Sequence, residues 1–315
     1  MRVLVTGGAG FIGSHVADLL LAQGHQVAIV DDLSTGHREN VPAGAAFYEC
    51  DIRDERLAAI FDDVGPEAVC HLAAQMSVRI SLERPRHDAA VNVEGSVHLL
   101  ECAVRSGKPK IIYASTGGAI YGEPRELPCD EGHPIVPLSH YGISKHTVEH
   151  YLELYAGLYD LDYTALRLPN VYGPRQDPAG EAGVVAIFAG QMLRGEPIAI
   201  FGDGTQERDF VHVSDVARGF AAALTSGSRT SVNLGSGVGT NVLQIRHELV
   251  KLVDAPVVTE FRPYRSGEVY RIFLTGDLAR QTLGWEPRTA LADGLRDTLE
   301  WVRAQETVAA PVAGD

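Results

Sequence analysis

Apolar residues follow two rhythms in the first half of the chain. Short unbroken apolar runs at Arg2–Thr6 (RVLVT) and Gln26–Asp31 (QVAIVD) predict strands buried on both faces. Comparable runs at Ala46–Cys50, Ala68–Leu72, Lys110–Ser115 and Tyr163–Leu168 predict four more. Between them lie stretches of helical length, notably Phe11 to about Gln23, His87–Arg105 and Ser139–Tyr159. Strands alternating with helices predict an α/β fold with a doubly wound, Rossmann-like parallel sheet.

The rhythm changes from about Asn170. A Pro- and Gly-rich loop at Gly173–Gly183 leads into a helix, then short strands at Ile198–Phe201 and Arg208–Val213. Ser214 is placed to cap an alanine-rich helix. A strand-like SVNLG run, a helix from about Asn241 and an amphipathic helix from about Leu291 to Gln305 follow. The tail Val308–Asp315 is expected to fray. With no obvious linker, the 315 residues are expected to form a dinucleotide domain over 1–170 and a smaller α/β substrate region, mainly 171–315, interleaved with it.

Composition acts mainly by exclusion. A net charge of −14 argues against a nucleic-acid or anionic-membrane partner. No run approaches the roughly 20 apolar residues of a membrane span. Four scattered cysteines (Cys50, Cys70, Cys102, Cys129) form no C-x-x-C pair and read as buried thiols of a reducing compartment. A strand-like run beginning at residue 2 leaves no room for a leader, so the expected location is the cytoplasm.

Candidate chemistry begins at Gly7-Gly8-Ala9-Gly10-Phe11-Ile12-Gly13. Gly7, Gly10 and Gly13 lie between a predicted strand and a predicted helix. Glycine there permits positive φ and close backbone approach, and the helix start offers N–H groups to a pyrophosphate. The spacing is G-x-x-G-x-x-G rather than G-x-G-x-x-G. Asp31 ends the second strand, roughly 20 residues on, where a carboxylate meets adenine-ribose hydroxyls and repels a 2′-phosphate, favouring NAD over NADP. Asp32 shares that position, and Asp51-Ile52 after the third strand could flank the adenine.

Tyr141 and Lys145 are four residues apart and so share a helical face. An ammonium beside a phenol is expected to pull a pKa of ~10 towards neutrality. Such a tyrosine can take a hydroxyl proton as hydride leaves the same carbon. The strand ending in Ala114-Ser115-Thr116 precedes that helix. His146–His150 also spells H-x-x-E-H, but it follows Lys145 directly, where a metal would crowd the site. No metal is expected, and His71 and His212, in strand contexts, read as structural.

Together with Thr6–His15 (TGGAGFIGSH), Asp31–Gly36 (DDLSTG), His71–Gln75 (HLAAQ), Asn170–Gln176 (NVYGPRQ), Arg208–Ala217 (RDFVHVSDVA) and Gly284–Pro287 (GWEP), these motifs carry a resemblance. From Arg2 to about Arg303 the chain resembles the extended short-chain dehydrogenase/reductases, in particular the nucleotide-sugar 4-epimerases. The resemblance implies reversible inversion at C4 of a UDP-hexose through a 4-keto sugar on tightly held NAD. UDP-glucose/UDP-galactose and UDP-glucuronate/UDP-galacturonate are the candidate pairs. It implies Tyr141 as acid/base and Lys145 on the nicotinamide ribose. Phe11 and Ile12 would join the glycine turn, Leu72, Ala73 and Ala74 would line the cofactor, and Asn92 would lie near it. Asn170 would meet the substrate diphosphate, Arg208 and Arg265 would grip its phosphates, and Glu268 would reach the uridine ribose. A homodimer through the helices at His87–Arg105 and Ser139–Tyr159 is implied as well.

Relatives commonly place a serine where this chain has Gly117, so Thr116 is expected to supply the hydroxyl, with Ser115 next. Gly117, Gly118 and Ala119 can neither donate nor accept a proton, which disfavours dehydration or decarboxylation. The alternative is a net NAD-dependent oxidoreductase of a nucleotide-linked keto sugar, using the same residues. A non-enzymatic NAD-binding scaffold would be expected to have lost the Tyr/Lys pair, which is intact. Arg79, Arg175 and Arg194 are available to a C6 carboxylate, but uronate-specific relatives often carry an arginine where this chain has Asp177-Pro178, favouring a neutral hexose.

Overall fold

A computed structural model of the chain describes residues 1–177, 183–253, 256–264 and 269–309. Six strands come from the apolar runs: β1 (Arg2–Thr6), β2 (Gln26–Asp31), β3 (Ala46–Glu49), β4 (Ala68–His71), β5 (Lys110–Thr116) and β6 (Tyr163–Leu168). With Thr230–Asn233 they form one parallel sheet in the order Thr230–Asn233, β6, β5, β4, β1, β2, β3. Alternate residues feed opposite cores. Val3, Val5 and Ile29 pack with Val16, Leu20, Val216 and Phe220 on one face. Leu4 and Val30 pack with Phe61, Leu99, Val148 and Leu152 on the other. Both faces are covered, which is why these strands read as unbroken apolar runs.

Strand order reverses beside β1, whose neighbours are β4 and β2. The crossovers diverge there, and a crevice opens at the carboxyl ends of β1 and β4. A third core, built on Phe188, Ile198, Ile200, Ile245, Leu295 and Leu299, supports the later part of the chain. That part also supplies Thr230–Asn233 to the main sheet and the helix Val213–Ala223, whose Val216 and Phe220 join the first core.

Three local expectations need correction. The helix at His87–Arg105 is not continuous. Pro85–Ala89 is followed by a π turn over Ala90–Glu94 and then by Gly95–Arg105. The wide turn accompanies the inward hydrogen bonds of Asn92, a side-chain requirement that apolar spacing does not register. The strand at Arg208–Val213 divides into Glu207–Arg208 and Phe210–His212, which pair in different sheets, and the buried carboxylate of Asp209 between them accepts from the Ser236 and Leu274 N–H groups. The cap of the following helix is His212, not Ser214. Its Nδ1 accepts from the Ser214 hydroxyl (2.8 Å) and N–H (3.4 Å). Positions 310–315 of the tail lie outside the described residues.

Candidate functional site

The glycine turn follows β1 and opens the helix Phe11–Ala22. Gly7 has φ +71°, and a Cβ there would lie 2.7 Å from the Ala73 nitrogen. A Cβ on Gly13 would lie 2.1 Å from the Gly7 carbonyl oxygen. The strand, turn, helix and post-β4 segment thus approach at distances only glycine allows. No side chain caps the helix at Gly10, so the first-turn N–H groups remain available to an anion. Asp31, at the end of β2, accepts from the Ala9 and Leu33 N–H groups, both at 2.9 Å. Burial raises its carboxyl pKa above the usual range, against those hydrogen bonds. Asp32 is exposed and holds Ser34 in a local turn. Asp51 is paired with Arg53, while Ile52 is buried against Gly95. These features fit a dinucleotide cradle of the kind the glycine spacing implied.

A buried polar relay joins the two strands that frame this cradle. Ser96 Oγ donates to the Asn92 carbonyl (2.6 Å), so it accepts from His71 Nε2–H (2.9 Å). That assigns His71 Nδ1 as the acceptor of the Thr6 hydroxyl (2.7 Å), whose oxygen takes the Ala73 N–H (3.3 Å). Burial, aided by the Lys145 charge, lowers the imidazole pKa to about 3, so His71 is neutral. Asn92 clamps the next residue from both sides, accepting from Gln75 N–H (2.8 Å) and donating to Gln75 O (2.9 Å). Leu72 is tied to β1 by its N–H to Thr6 O (3.1 Å) and Ala73 by the Thr6 hydroxyl, and Ala74 lies between them and the clamped Gln75. The relay was not anticipated, although His71 had read as structural.

The strand β5 and the helix His140–Tyr159 bring Tyr141, Lys145 and Thr116 together. Ser139 caps that helix by accepting from Gly142 N–H (3.1 Å). Thr116 ends β5, and its hydroxyl is close enough to the Tyr141 phenol to favour phenolate. Lys145 is buried, and its Nζ donates to the Ala114 carbonyl (2.9 Å) and stands 4.9 Å from the Tyr113 ring centre. Burial brings its ammonium down to about 8, against the opposing charge of Asp88.

The phenol departs from expectation. Burial pushes Tyr141 up to about 12; the Thr116 hydroxyl lowers it and the Asp88 charge raises it. The expected lowering by Lys145 is absent: the groups acting on the phenol are Thr116 and Asp88, and the ammonium is engaged by the Ala114 carbonyl.

Ser115, one residue earlier, points into another layer. It donates to Glu149 Oε1 (2.5 Å), which also receives Arg167 Nε (3.1 Å). Glu149 of the H-x-x-E-H run is thus committed to a buried ion pair with Arg167, whose Nη2 lies 2.7 Å from Oε2. A Cβ on Gly117 would fall 2.2 Å from Leu274 Cδ1, so Leu274 occupies the space a side chain there would take. Gly118 faces the Asn170 amide, its notional Cβ 3.7 Å from Asn170 Oδ1 and 4.0 Å from Thr116 Oγ1. Asn170 therefore stands beside the Thr116 end of β5. Arg208 lies on the short strand Glu207–Arg208 and donates to the carbonyls of Glu207 (2.9 Å) and Tyr270 (3.1 Å). Arg265 and Glu268 lie outside the described residues.

Residues 3–235 match the profile described as the NAD dependent epimerase/dehydratase family. The chain belongs to this family. A UDP-glucose 4-epimerase of Mycolicibacterium smegmatis is 45% identical over 309 residues, covering 96% of this chain and 99% of the relative. A Thermotoga maritima UDP-glucose 4-epimerase solved with UDP-glucose is 48% identical, with a TM-score of 0.94 over 97% of this chain and 100% of that one. A Thermus thermophilus UDP-glucose 4-epimerase in complex with NAD is 44% identical, with a TM-score of 0.92 over 96% and 99%. The fold class and NAD dependence expected of an extended short-chain dehydrogenase/reductase are those of this epimerase/dehydratase family.

Proposed function

We propose that this chain interconverts UDP-glucose and UDP-galactose by inversion at C4. The observation that carries this reading is the meeting of Thr116, Tyr141 and Lys145 beside the glycine cradle, in a chain similar to UDP-glucose 4-epimerases along nearly its whole length. Residues 1–170 hold NAD, and residues 171–315 mainly hold the UDP-sugar. NAD, held by the turn Gly7–Gly13 and by Asp31, would supply reversible hydride transfer at C4. Tyr141 takes the C4 hydroxyl proton and later restores it, while Thr116 orients the oxygen and Lys145 holds the nicotinamide ribose. With burial holding the phenol near 12, the groups of the chain alone do not make Tyr141 a base at neutral pH. A cationic nicotinamide ring beside Tyr141 would favour its phenolate further. Asn170, Arg208, Arg265 and Glu268 tether the UDP moiety while the sugar turns.

A neutral C6 substituent is supported by the fate of the arginines. Arg79 pairs with Glu83 (2.9 Å), Arg175 with Asp18 (2.7 Å), and Arg194 with Glu196 and Glu306 (both 2.8 Å). Each already has a carboxylate partner that a uronate would have to displace. Proton NMR of C4 configuration, without added cofactor, tests the reading: UDP-glucose should epimerise faster than UDP-glucuronate. Stoichiometric NADH formation or consumption would replace the epimerase with a net oxidoreductase. No conversion even with excess NAD would remove both.

The partner beyond substrate is a second copy of the chain. Ile143, Leu154 and Leu158 lie 11 and 4 residues apart on one helix, hence in one stripe, and all three are half exposed or more. A Leu158→Lys variant should shift the mass in solution from dimer to monomer by light scattering. The four cysteines are free and buried, consistent with a cytoplasmic protein, and no described helix is long and apolar enough to cross a membrane.

A further inference from the structure

Asp88 belongs to none of the family motifs identified in the sequence, yet it is fully buried between the cofactor-lining segment and the catalytic helix. Its Oδ1 accepts from Gln75 Nε2 (2.8 Å) and Asn92 Nδ2 (3.0 Å), and its Oδ2 accepts from Ser144 Oγ (2.6 Å). Every one of these donors is neutral. One carboxylate therefore ties the segment after β4, the π turn and the helix carrying Tyr141 and Lys145. We propose that Asp88 is a positioning residue that also sets the electrostatic balance of the Tyr141–Lys145 pair. The proposal rests on the catalytic roles given above and adds to them.

The charged surroundings leave Asp88 as the buried negative charge acting on that pair. From the catalytic helix and β5, it acts on Tyr141, Lys145 and Tyr113. Also on that helix, Glu149 is paired with Arg167 behind β5, His146 sits against Glu149, and His140 and His150 are exposed. On its own and adjoining helices, Arg79, Glu83, Arg84, Arg86 and Glu94 are exposed and His87 is partly buried. None of them is a hydrogen-bond partner of Asp88. A buried negative charge favours the ammonium of Lys145 and opposes the phenolate of Tyr141. It thus keeps the lysine charged at the cost of a higher phenol pKa.

Asp88→Asn separates charge from shape, because the amide can accept from Gln75 and Asn92 while donating to Ser144 Oγ. Removing the negative charge lowers both pKa values, so both limbs of the kcat/KM profile should move about half to one unit to lower pH. Ser144→Ala keeps the charge and should lower kcat a few-fold with both limbs in place. If Asp88→Asn loses activity evenly across pH with unmoved limbs, Asp88 is structural only and the electrostatic role fails. A second readout does not need turnover: the tyrosinate absorbance titration of Tyr141, taken as the difference from Tyr141→Phe. It should shift to lower pH in Asp88→Asn, and an unchanged curve would overturn the proposal. If the wild-type chain fails to epimerise UDP-glucose, the functional reading falls while this titration still decides the role of Asp88.

Discussion

Ser115 and Thr116 are adjacent hydroxyls on one strand, and the sheet sends them into two unlike layers. Behind β5, Ser115 joins Glu149 and Arg167 in a buried pair whose donors and acceptors are used within the protein. In front, Thr116 meets Tyr141 in the cleft at the strand ends. Strand pleating alone separates them, since successive side chains point to opposite faces. Similar chemistry becomes scaffold on one face and candidate catalyst on the other. The balance of burial against bonding differs: burial prevails at the Tyr141 phenol and raises it, whereas Glu149 is held at about 2 because the bonds from His146, Arg167 and Ser115 outweigh burial.

The largest effects should come from the cleft side. Tyr141→Phe removes the proposed proton acceptor and should cut kcat by about 10²–10⁴-fold, with melting temperature nearly unchanged. Thr116→Ala should cost less, on the order of 10²-fold, while Thr116→Ser should restore most of the rate. Steady-state rates on UDP-glucose check both. Equal losses in Ser115→Ala and Thr116→Ala would erase the contrast between the layers.

The scaffold side should fail in stability rather than chemistry. Glu149→Ala leaves the Arg167 guanidinium buried without its partner and should destabilise the fold by about 3–5 kcal/mol in urea unfolding. Acid titration sharpens this. The folded pKa of Glu149 is depressed to about 2 from an ordinary 4.5, so its contribution is complete above about 4.5 and is lost as pH falls towards 2. Glu149→Gln should flatten that part of the stability profile. An unchanged acid limb would mean that other carboxylates dominate it.

Legibility in the sequence divided along the same physical line. The strands of the main sheet were readable because parallel strands covered on both faces are apolar throughout, and Gly7 and Gly13 were readable because backbone approach at 2–3 Å admits no side chain. Tyr141 and Lys145 were readable from helical spacing. Hidden were interactions that join distant segments. The relay from Thr6 through His71 to Ser96, the clamp of Asn92 on Gln75, and the burial of Asp88 each depend on tertiary placement with no local period. The π turn at Ala90–Glu94 was missed for the same reason, since it serves a polar contact rather than an apolar stripe. The phenol pKa was misjudged because counting an ammonium four residues away says nothing of desolvation or of the carbonyl that engages it.

The smallest expected effect tests whether a hydroxyl at position 117 could serve in place of Thr116. The Leu274 backbone is held on two sides: its N–H donates to Asp209 (3.1 Å) and its carbonyl accepts from Gly237 (2.8 Å). Its side chain packs in a buried cluster with Ile120, Tyr121, Cys129 and Ile272, so a side chain at Gly117 has to displace Leu274 Cδ1 within that cluster. Gly117→Ser should therefore cost about 1–3 kcal/mol through overpacking and leave the hydroxyl unable to replace Thr116. In the double variant Thr116→Ala/Gly117→Ser, kcat should stay at the Thr116→Ala level. Adding Leu274→Ala opens the space, and only that triple variant should recover part of the rate. Recovery in the double variant would mean that Leu274 yields readily and that the strand end, rather than the packing above it, determines which residue presents the hydroxyl.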